Sequence, residues 1–178
     1  IAGNVIASQI PQANGFNTTD SIPITAGSAH SCFILDNGSV KCWGSNASGQ
    51  LGLGDTNSRG DGSNEMGDNL TVIDLGTGKT ARAIEAGDNH TCAILDNASV
   101  KCWGSNASGQ LGQGDTSNLG DDLSEMGNNL TSIDLGSGRT VTVKAISAGY
   151  GHTCAILDNA SVKCWGSNAS GQLGQGDT

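Results

Sequence analysis

The segment His90–Thr116 reads HTCAILDNASVKCWGSNASGQLGQGDT, and the segment His152–Thr178 repeats these 27 residues letter for letter. A slightly altered third copy occupies His30–Thr56. A unit repeated at a fixed period determines the architecture, and any site within the unit then occurs three times. Because an enzyme active site is usually a single asymmetric constellation, the repeat favours a scaffold or a binding surface.

Four short apolar runs, separated by turn residues, make up one period of 60 to 62 residues. In the second unit these runs are 80–87, 91–95, 100–103 and 131–135, and a long polar loop precedes the last of them. No stretch has the periodicity of an amphipathic helix. The pattern therefore predicts an all-β protein of propeller-type, four-stranded blades, with the fourth strand of the first unit at 71–75.

The motif His-Thr-Cys-Ala-Ile-Leu-Asp-Asn, followed by Val-Lys-Cys-Trp-Gly-Ser-Asn and Gly-Gln-Leu-Gly-x-Gly-Asp, resembles the repeat of the regulator-of-chromosome-condensation family. The resemblance covers residues 22–178 and implies a β-propeller, usually of about seven blades. It implies no particular activity, because family members serve as exchange factors, inhibitors and extracellular modules. We expect repeat units at 22–79, 80–140 and 141–178, the third incomplete.

Three blades do not close a ring, since propellers have roughly four to eight. We therefore expect either further blades or another copy of the chain to complete the structure. Residues 1–21 match no part of the repeat and contain a plausible extended segment at 4–10. This N-terminal extension is either a strand that pairs with another copy, or a linker or remnant of a preceding blade.

Each unit contains two cysteines with nine residues between them. The pairs are Cys32 and Cys42, Cys92 and Cys102, and Cys154 and Cys164. A disulfide within each pair is the simplest connectivity, but a two-residue Asn37-Gly38 turn would place the two sulfur atoms on opposite faces of the hairpin. We therefore expect a three- or five-residue loop, or a bulge. Regular disulfides predict an oxidising compartment, so the chain is expected to be secreted, either extracellular or at the cell surface.

Ten of the sixteen asparagines lie in Asn-x-Ser/Thr sequons, so we expect covalent N-glycans on a secreted chain. The candidates at hairpin tips, where exposure is expected, are Asn37, Asn97 and Asn159. The remaining candidates are Asn69, Asn129, Asn46, Asn106, Asn168, Asn17 and Asn89. In the Trp-Gly-Ser-Asn context of Asn46, Asn106 and Asn168, a turn-forming role competes equally with glycosylation.

The acidic loop of the first unit resembles the start of a calcium loop at Asp55, Asn57 and Asp61. Arg59 in the fifth position disfavours calcium there, and no other metal or cofactor is expected, because closely spaced zinc-ligand pairs are absent. No nucleophile elbow or similar catalytic signature occurs, so we predict no enzyme activity.

One tryptophan and one histidine recur in every unit. Trp43, Trp103 and Trp165 are expected to pack between blades rather than to stack on a sugar. His30, His90 and His152 are expected to bond backbone groups near the propeller axis or a blade corner.

The net charge of −9 and the lack of a Lys/Arg cluster exclude nucleic acid as an expected partner. No apolar run approaches the roughly 20 residues of a membrane span, so no membrane insertion is expected.

Two functions remain. The first is an extracellular structural glycoprotein whose copies assemble head-to-tail into a filament, sheath or surface appendage. The alternative is three blades of a larger secreted propeller that binds a protein or glycan partner.

Overall fold

The computed structural model describes residues 24–136 and 143–176, which form nine strands in three antiparallel sheets. Consecutive strands are neighbours in every sheet. The strands are β1 (Ile24–Ala26), β2 (His30–Ile34), β3 (Val40–Gly44), β4 (Ala81–Ala86), β5 (His90–Leu95), β6 (Val100–Gly104), β7 (Val143–Ala148), β8 (His152–Leu157) and β9 (Val162–Gly166). One turn of 3-10 helix at Gly67–Asn69 is the only helical element among the described residues. The all-β prediction is confirmed, and the three blades do not form a closed ring. The predicted extension at 1–21, with its 4–10 segment, lies outside the described residues.

The first three predicted runs of each unit are confirmed as strands. The repeated β5 sequence His-Thr-Cys-Ala-Ile-Leu and the β6 sequence Val-Lys-Cys-Trp-Gly contain the β-branched and aromatic residues that suit a pleated, half-buried surface. The strand β6 ends at Gly104, whose φ of 103° is readily adopted only by glycine.

Disulfides join the second strand to the third in every sheet. The predicted pairs Cys32–Cys42, Cys92–Cys102 and Cys154–Cys164 are all bonded, with their Cα atoms 4.1 Å apart. The two cysteines of each pair lie directly opposite each other in the antiparallel register. Opposite residues share one face of a sheet, so both side chains point to the same side.

The hairpin tip that permits this register is a three-residue loop, as predicted. In the first blade the amide of Leu35 donates to the carbonyl of Ser39 at 2.8 Å, and the amide of Gly38 donates back to Leu35 at 2.8 Å. Gly38 completes the turn with a φ of 78°. Ala98 and Ala160 occupy the same left-handed conformation in the other two tips.

The prediction of a continuous fourth strand, at 71–75 and at 131–135, is wrong. The outer edge of β3 has two separate partners: Gly44 pairs with Arg59, and the amide of Ile73 donates to the carbonyl of Val40 at 2.9 Å. The intervening residues leave the sheet as a loop, so the edge partner is split in two. The second blade has the same split edge, with Leu119 and Ile133 in the equivalent places.

The apolar cores lie between the blades rather than within them. The first core packs the Cys32–Cys42 disulfide with Ala93, Leu95 and Trp103 of the next blade. The second core contains the Cys92–Cys102 disulfide together with Ala155 and Leu157. The disulfide face of one blade therefore packs on the opposite face of the next. Each fully buried aliphatic side chain contributes roughly 1.5–3 kcal/mol to this packing.

The three blades differ in how many of their faces are covered. Every residue of β5 and β6 in the middle blade is buried. On the disulfide face of the third blade, Ile156 is 43% exposed and Val162 is 62% exposed. On the opposite face of the first blade, Phe33 and Trp43 are half-buried and pack edge to face on each other. Among the described residues, no further blade covers the outer face of the first blade or of the third, and we call these two surfaces the open faces.

Ala160 provides a test of the backbone strain at the hairpin tips. It is exposed and has a φ of 64°, a conformation that costs a non-glycine residue about 1–2 kcal/mol. We expect Ala160→Gly to raise the free energy of unfolding by about 1 kcal/mol, measured by denaturant titration.

Ala169→Gly is the matched control, because Ala169 is also exposed and its φ is not positive. The control substitution should lower the free energy of unfolding, since glycine adds freedom to the unfolded chain. Effects of the same sign at both positions would contradict the assignment of strain to Ala160.

Candidate functional site

A chain of hydrogen bonds joins each blade to the next. His30 Nε2 lies 2.8 Å from the hydroxyl oxygen of Thr91 in the second blade. The Thr91 hydroxyl donates in turn to the main-chain carbonyl of Gln50, at 2.8 Å. The same arrangement joins the second blade to the third, through His90, Thr153 and Gln110, at 3.0 and 2.9 Å.

The hydrogen-bond directions determine the tautomer of His30. The Thr91 hydroxyl has a single proton, which it donates to Gln50, so its oxygen accepts the Nε2–H of His30. The Nδ1 atom therefore has no proton, and it is buried without a hydrogen-bond partner, as are the Nδ1 atoms of His90 and His152. Burial lowers the pKa of His30 and of His90 to about 4, although the negative charge of Asp88 acts in the opposite direction.

The histidines were predicted to bond backbone groups, and this prediction is wrong for His30 and His90. Each of them contacts a threonine hydroxyl of the following blade instead. The short loops that precede these histidines also pack closely against one another. A Cβ atom on Gly27 would lie 2.2 Å from the carbonyl oxygen of Gly87, and a Cβ atom on Gly87 would lie 2.5 Å from that of Gly149. The threonine that follows histidine in both identical copies was the available signal in the sequence.

Trp103 and Trp165 pack between blades, as predicted. Trp103 is fully buried, and its Nε1–H donates to the Gln50 carbonyl at 3.0 Å. Trp165 is half-buried and donates to the Gln110 carbonyl at 2.9 Å. The equivalent Trp43 lies on the open face of the first blade, where the described residues provide no preceding blade.

The structure resolves the competition between turn and glycan at Asn46 and Asn106 in favour of the turn. Asn46 is fully buried, its Nδ2 donates to the carbonyl of Asp55 at 2.7 Å, and its Oδ1 accepts from the amide of Leu51 at 2.9 Å. Asn106 is buried with equivalent bonds. A folded chain has no room for a sugar on these nitrogen atoms. Asn168 is half-buried and holds the same turn through its Oδ1.

The other sequons stay predictions, and their environments differ. Asn37, Asn97 and Asn159 are exposed at the hairpin tips, and Asn69 and Asn129 are also exposed. Asn89 is half-buried and accepts a hydrogen bond from Gln50. Asn17 lies outside the described residues.

The calcium prediction has no geometric support in the acidic loop of the first blade. One carboxylate oxygen of Asp55 accepts from Arg59 at 2.6 Å, and the other accepts from the amide of Asn57 at 2.9 Å. These bonds, with the guanidinium charge, hold the pKa of Asp55 below its ordinary value despite partial burial. A calcium ion there would have to displace Arg59. The exposed Asp61 has no contact that brings it to this carboxylate.

The long loops 54–69 and 114–129 form one surface, which we call the loop face. They meet where the amide of Gly54 donates to the carbonyl of Gly120 at 3.0 Å. A Cβ atom on Gly49 would lie only 2.5 Å from the amide nitrogen of Asp121, so the second loop lies directly on the preceding blade. Each loop is closed by its own glutamate. Glu65 accepts from two amides at 2.8 Å, and Glu125 accepts from two amides at 2.9 and 3.1 Å.

The loop face is acidic and carries an exposed apolar residue. The two loops contain eight aspartates and glutamates and one arginine, Arg59, which is paired with Asp55. Leu123 is 88% exposed at the border of a cleft of about 210 Å³ that Gly54, Val72 and Met126 also line. This combination is suited to contact with a positively charged surface that offers an apolar pocket.

Within residues 24–136 and 143–176, no three His, Cys, Asp or Glu side chains are grouped so that they could hold a metal ion. The same part of the chain contains no helix of the length and hydrophobicity needed to cross a bilayer. The recurring polar contacts that it does contain serve blade packing and loop closure. The loop face is therefore the candidate site, as a surface for binding.

Comparison with protein families identifies three matches along the chain. The model of the regulator of chromosome condensation (RCC1) repeat matches residues 24–50, 81–110 and 143–172. Each match begins at the first strand of a blade and ends in the loop after its third strand. The family resemblance predicted from the motifs is confirmed.

Two curated proteins show the extent of the similarity. The ultraviolet-B receptor UVR8 of Arabidopsis thaliana is 31% identical over 156 residues, which is 87% of this chain and 31% of the receptor. Protein pim1 of Schizosaccharomyces pombe is 31% identical over 160 residues, which is 88% of this chain and 29% of that protein. The chain thus spans about a third of the length of these relatives.

Solved structures share the fold at lower sequence identity. Yeast RCC1 (Prp20), in a structure described as bound to Kap60, has a TM-score of 0.64 at 21% identity, and the match covers 87% of this chain and 34% of that one. Human WBSCR16 has a TM-score of 0.65 at 21% identity, and the match covers 88% and 38%. A second Prp20p structure, described with its binding to Gsp1p and histones, has a TM-score of 0.59.

The buried histidines predict a stability that falls in acid. The folded pKa of about 4 lies below the unfolded value of about 6.5, so the unfolded chain binds the proton more tightly. The contribution of the neutral histidines to the free energy of unfolding should be fully present above pH 6.5. It should be lost as the pH drops towards 4, by up to about 3 kcal/mol for each of His30 and His90. Denaturant titrations between pH 4 and pH 8 measure this loss.

The control variant is His90→Gln, whose amide N–H can still donate to Thr153 but does not titrate in this range. The variant should lose less stability between pH 6.5 and pH 4 than the wild-type chain. An unchanged pH dependence would contradict the role given to His90.

Proposed function

The chain belongs to the RCC1 repeat family, and on that basis we propose that it forms three blades of a larger propeller that binds a protein partner through its loop face and has no catalytic activity. The repeats and the shared fold support the propeller. Two solved Prp20 structures are described by protein partners, namely Kap60, and Gsp1p and histones. Binding of proteins is thus a function that this fold performs in relatives.

The observation that carries the proposal is the composition of the loop face. Its acidic side chains greatly outnumber its single, already paired arginine, and Leu123 extends from it into solvent. Electrostatic attraction increases the rate of encounter with a basic surface. Burial of the Leu123 side chain in the partner then adds affinity. The partner is accordingly a protein with a positively charged patch around an apolar pocket.

The three disulfides support a secreted or cell-surface setting for this interaction. A disulfide in every blade is stable in an oxidising compartment and rare in a reducing cytosol. The partner would then be another extracellular or surface protein.

Site-specific cross-linking in the source cells tests the proposal. A photoreactive residue replaces Leu123 in one variant, and in the control it replaces Asp158, which is exposed at the hairpin tip of the third blade. We expect position 123 to yield one defined protein adduct that position 158 does not yield. The yield of the adduct should fall as the salt concentration rises, because salt screens the attraction between exposed charges.

Charge reversal distinguishes the acidic surface from the leucine alone. The double substitution Asp121→Lys and Asp122→Lys should abolish the adduct at position 123, whereas Asp158→Lys should not change it. Equal adducts at both positions, no adduct at position 123, or an adduct that survives the double substitution would each reject the loop face as the binding site.

We propose head-to-tail assembly of copies, as in a filament or sheath, as a second function. The open face of the third blade presents His152, Cys154 and Ile156, which repeat the residues of the middle blade that pack against the third blade. The open face of the first blade presents Trp43 in the place of the buried Trp103. The two open faces carry the same kinds of residue that meet between adjacent blades within the chain. The first blade of a second copy can therefore pack on the third blade as a neighbouring blade would.

Sedimentation of the 178-residue chain tests this association. We expect the weight-average mass to rise with concentration, and Val162→Lys to keep the chain monomeric by placing a charge on the open face. Val72→Lys is the control, because Val72 is 44% exposed and lies in the cleft away from that face. A wild-type chain that stays monomeric at all concentrations would contradict the assembly.

A further inference from the structure

The hairpin tips of all three blades present the same chemical group to solvent. Asn37, Asn97 and Asn159 are exposed, and each begins an Asn-x-Ser sequon. In each tip the Oδ1 atom of the asparagine accepts the backbone N–H of the serine two residues later, at 3.0, 3.2 and 3.0 Å. The carboxamide is therefore held in one orientation by the turn.

The amide nitrogen of each tip asparagine is left available. The hydroxyls of Ser99 and Ser161 also donate to the asparagine Oδ1, at 2.8 and 2.7 Å. Within the described part of the chain, Nδ2 of Asn37, Asn97 and Asn159 makes no hydrogen bond. The oxygen is thus engaged and the nitrogen faces solvent in every tip.

The other sequons within residues 24–136 and 143–176 lack this combination. Asn46 and Asn106 are buried and use Nδ2 to hold their own loops. Asn129 donates from Nδ2 to the carbonyl of Ser124 at 2.8 Å, and Asn89 donates to Asp88. Asn69 is exposed in the long loop of the first unit, its equivalent in the second unit is Asn129, and neither belongs to the threefold pattern of the tips.

We propose that Asn37, Asn97 and Asn159 are N-glycosylation sites, so that one face of the molecule carries one oligosaccharide per blade. The donor is an oligosaccharide linked through a pyrophosphate to a lipid. A bond forms between Nδ2 and C1 of the first sugar while the bond from C1 to the pyrophosphate oxygen breaks. The nitrogen loses one proton, the lipid pyrophosphate leaves, and no oxidation or reduction occurs.

The sugar-bearing tips lie at one end of the strands, and the part of the long loop around Arg59 lies at the other end. In the first blade, Val40 begins β3 next to the tip, and Gly44 ends it next to Arg59 of the long loop. At roughly 3.4 Å per residue, the strand separates the two ends by about 14 Å. Glycans on the tips would solubilise that face and leave the loop face open to a protein partner.

Peptide mapping of the protein from its own cells tests this assignment. The chain is expressed there with an affinity tag, purified in its folded form, and deglycosylated by an amidase in ¹⁸O-labelled water, which converts a glycosylated asparagine to labelled aspartate. We expect label at Asn37, Asn97 and Asn159, and none at Asn46 or Asn106. Unlabelled tips, or equal label at the two buried asparagines, would overturn the proposal.

Paired serine substitutions separate glycosylation from folding. Ser39→Ala, Ser99→Ala and Ser161→Ala each remove the sequon hydroxyl and keep the asparagine of the turn, so each should lower the mass by one glycan. The matched Ser→Thr variants retain the sequon and should keep the full mass. Identical masses for the Ala and Thr variants would reject the tip sites. This result would not affect the cross-link at position 123, which tests the loop face separately.

Discussion

The main-chain carbonyl of Gln50 accepts two hydrogen bonds from the next blade, one from the Thr91 hydroxyl and one from the Trp103 indole. The Gln110 carbonyl does the same for the third blade. Three of these bonds are buried and the Trp165 bond is partly buried. A buried polar group left without its partner costs about 1–3 kcal/mol. They join the loop that contains Gln50 to the next blade, and both bonds can form only if this loop is rigid. The buried Asn46 provides that rigidity by bonding both ends of the loop.

Two kinds of cohesion act at different levels of this structure. In each blade a disulfide joins the second strand to the third, which closes their hairpin covalently. The first strand pairs with the other side of the second strand. Between blades, cohesion comes from apolar packing around those disulfides and from the carbonyl contacts. A blade is thus stable against internal rearrangement, but it needs neighbours to cover its two faces. The buried middle blade and the half-covered outer blades show this dependence directly.

The two ends of the blades also differ in how far their sequences are repeated. The tips are short, nearly identical and held by the same asparagine turn, whereas the long loops carry the differences between blades, such as Arg59 in one and Leu119 in the other. Short, uniform ends suit a repeated modification, and variable loops suit recognition of a partner. The proposed binding site is therefore a surface assembled from several blades.

Much of the fold follows from local pattern. Three of the four strands predicted for each blade were correctly read from the identical copies and their apolar runs. The spacing of Cys32 and Cys42 ruled out a two-residue tip and left a three- or five-residue loop or a bulge, because disulfide geometry and side-chain alternation both act over about ten residues. The split fourth strand, the burial of Asn46 and the partner of His30 could not be predicted in this way. His30 and Thr91 are 61 residues apart, and only the packing of one blade on another brings them together. The sequence alone thus determined the repeated blade and its disulfide, through short-range constraints, whereas the tertiary structure decided which polar groups are buried and which face water.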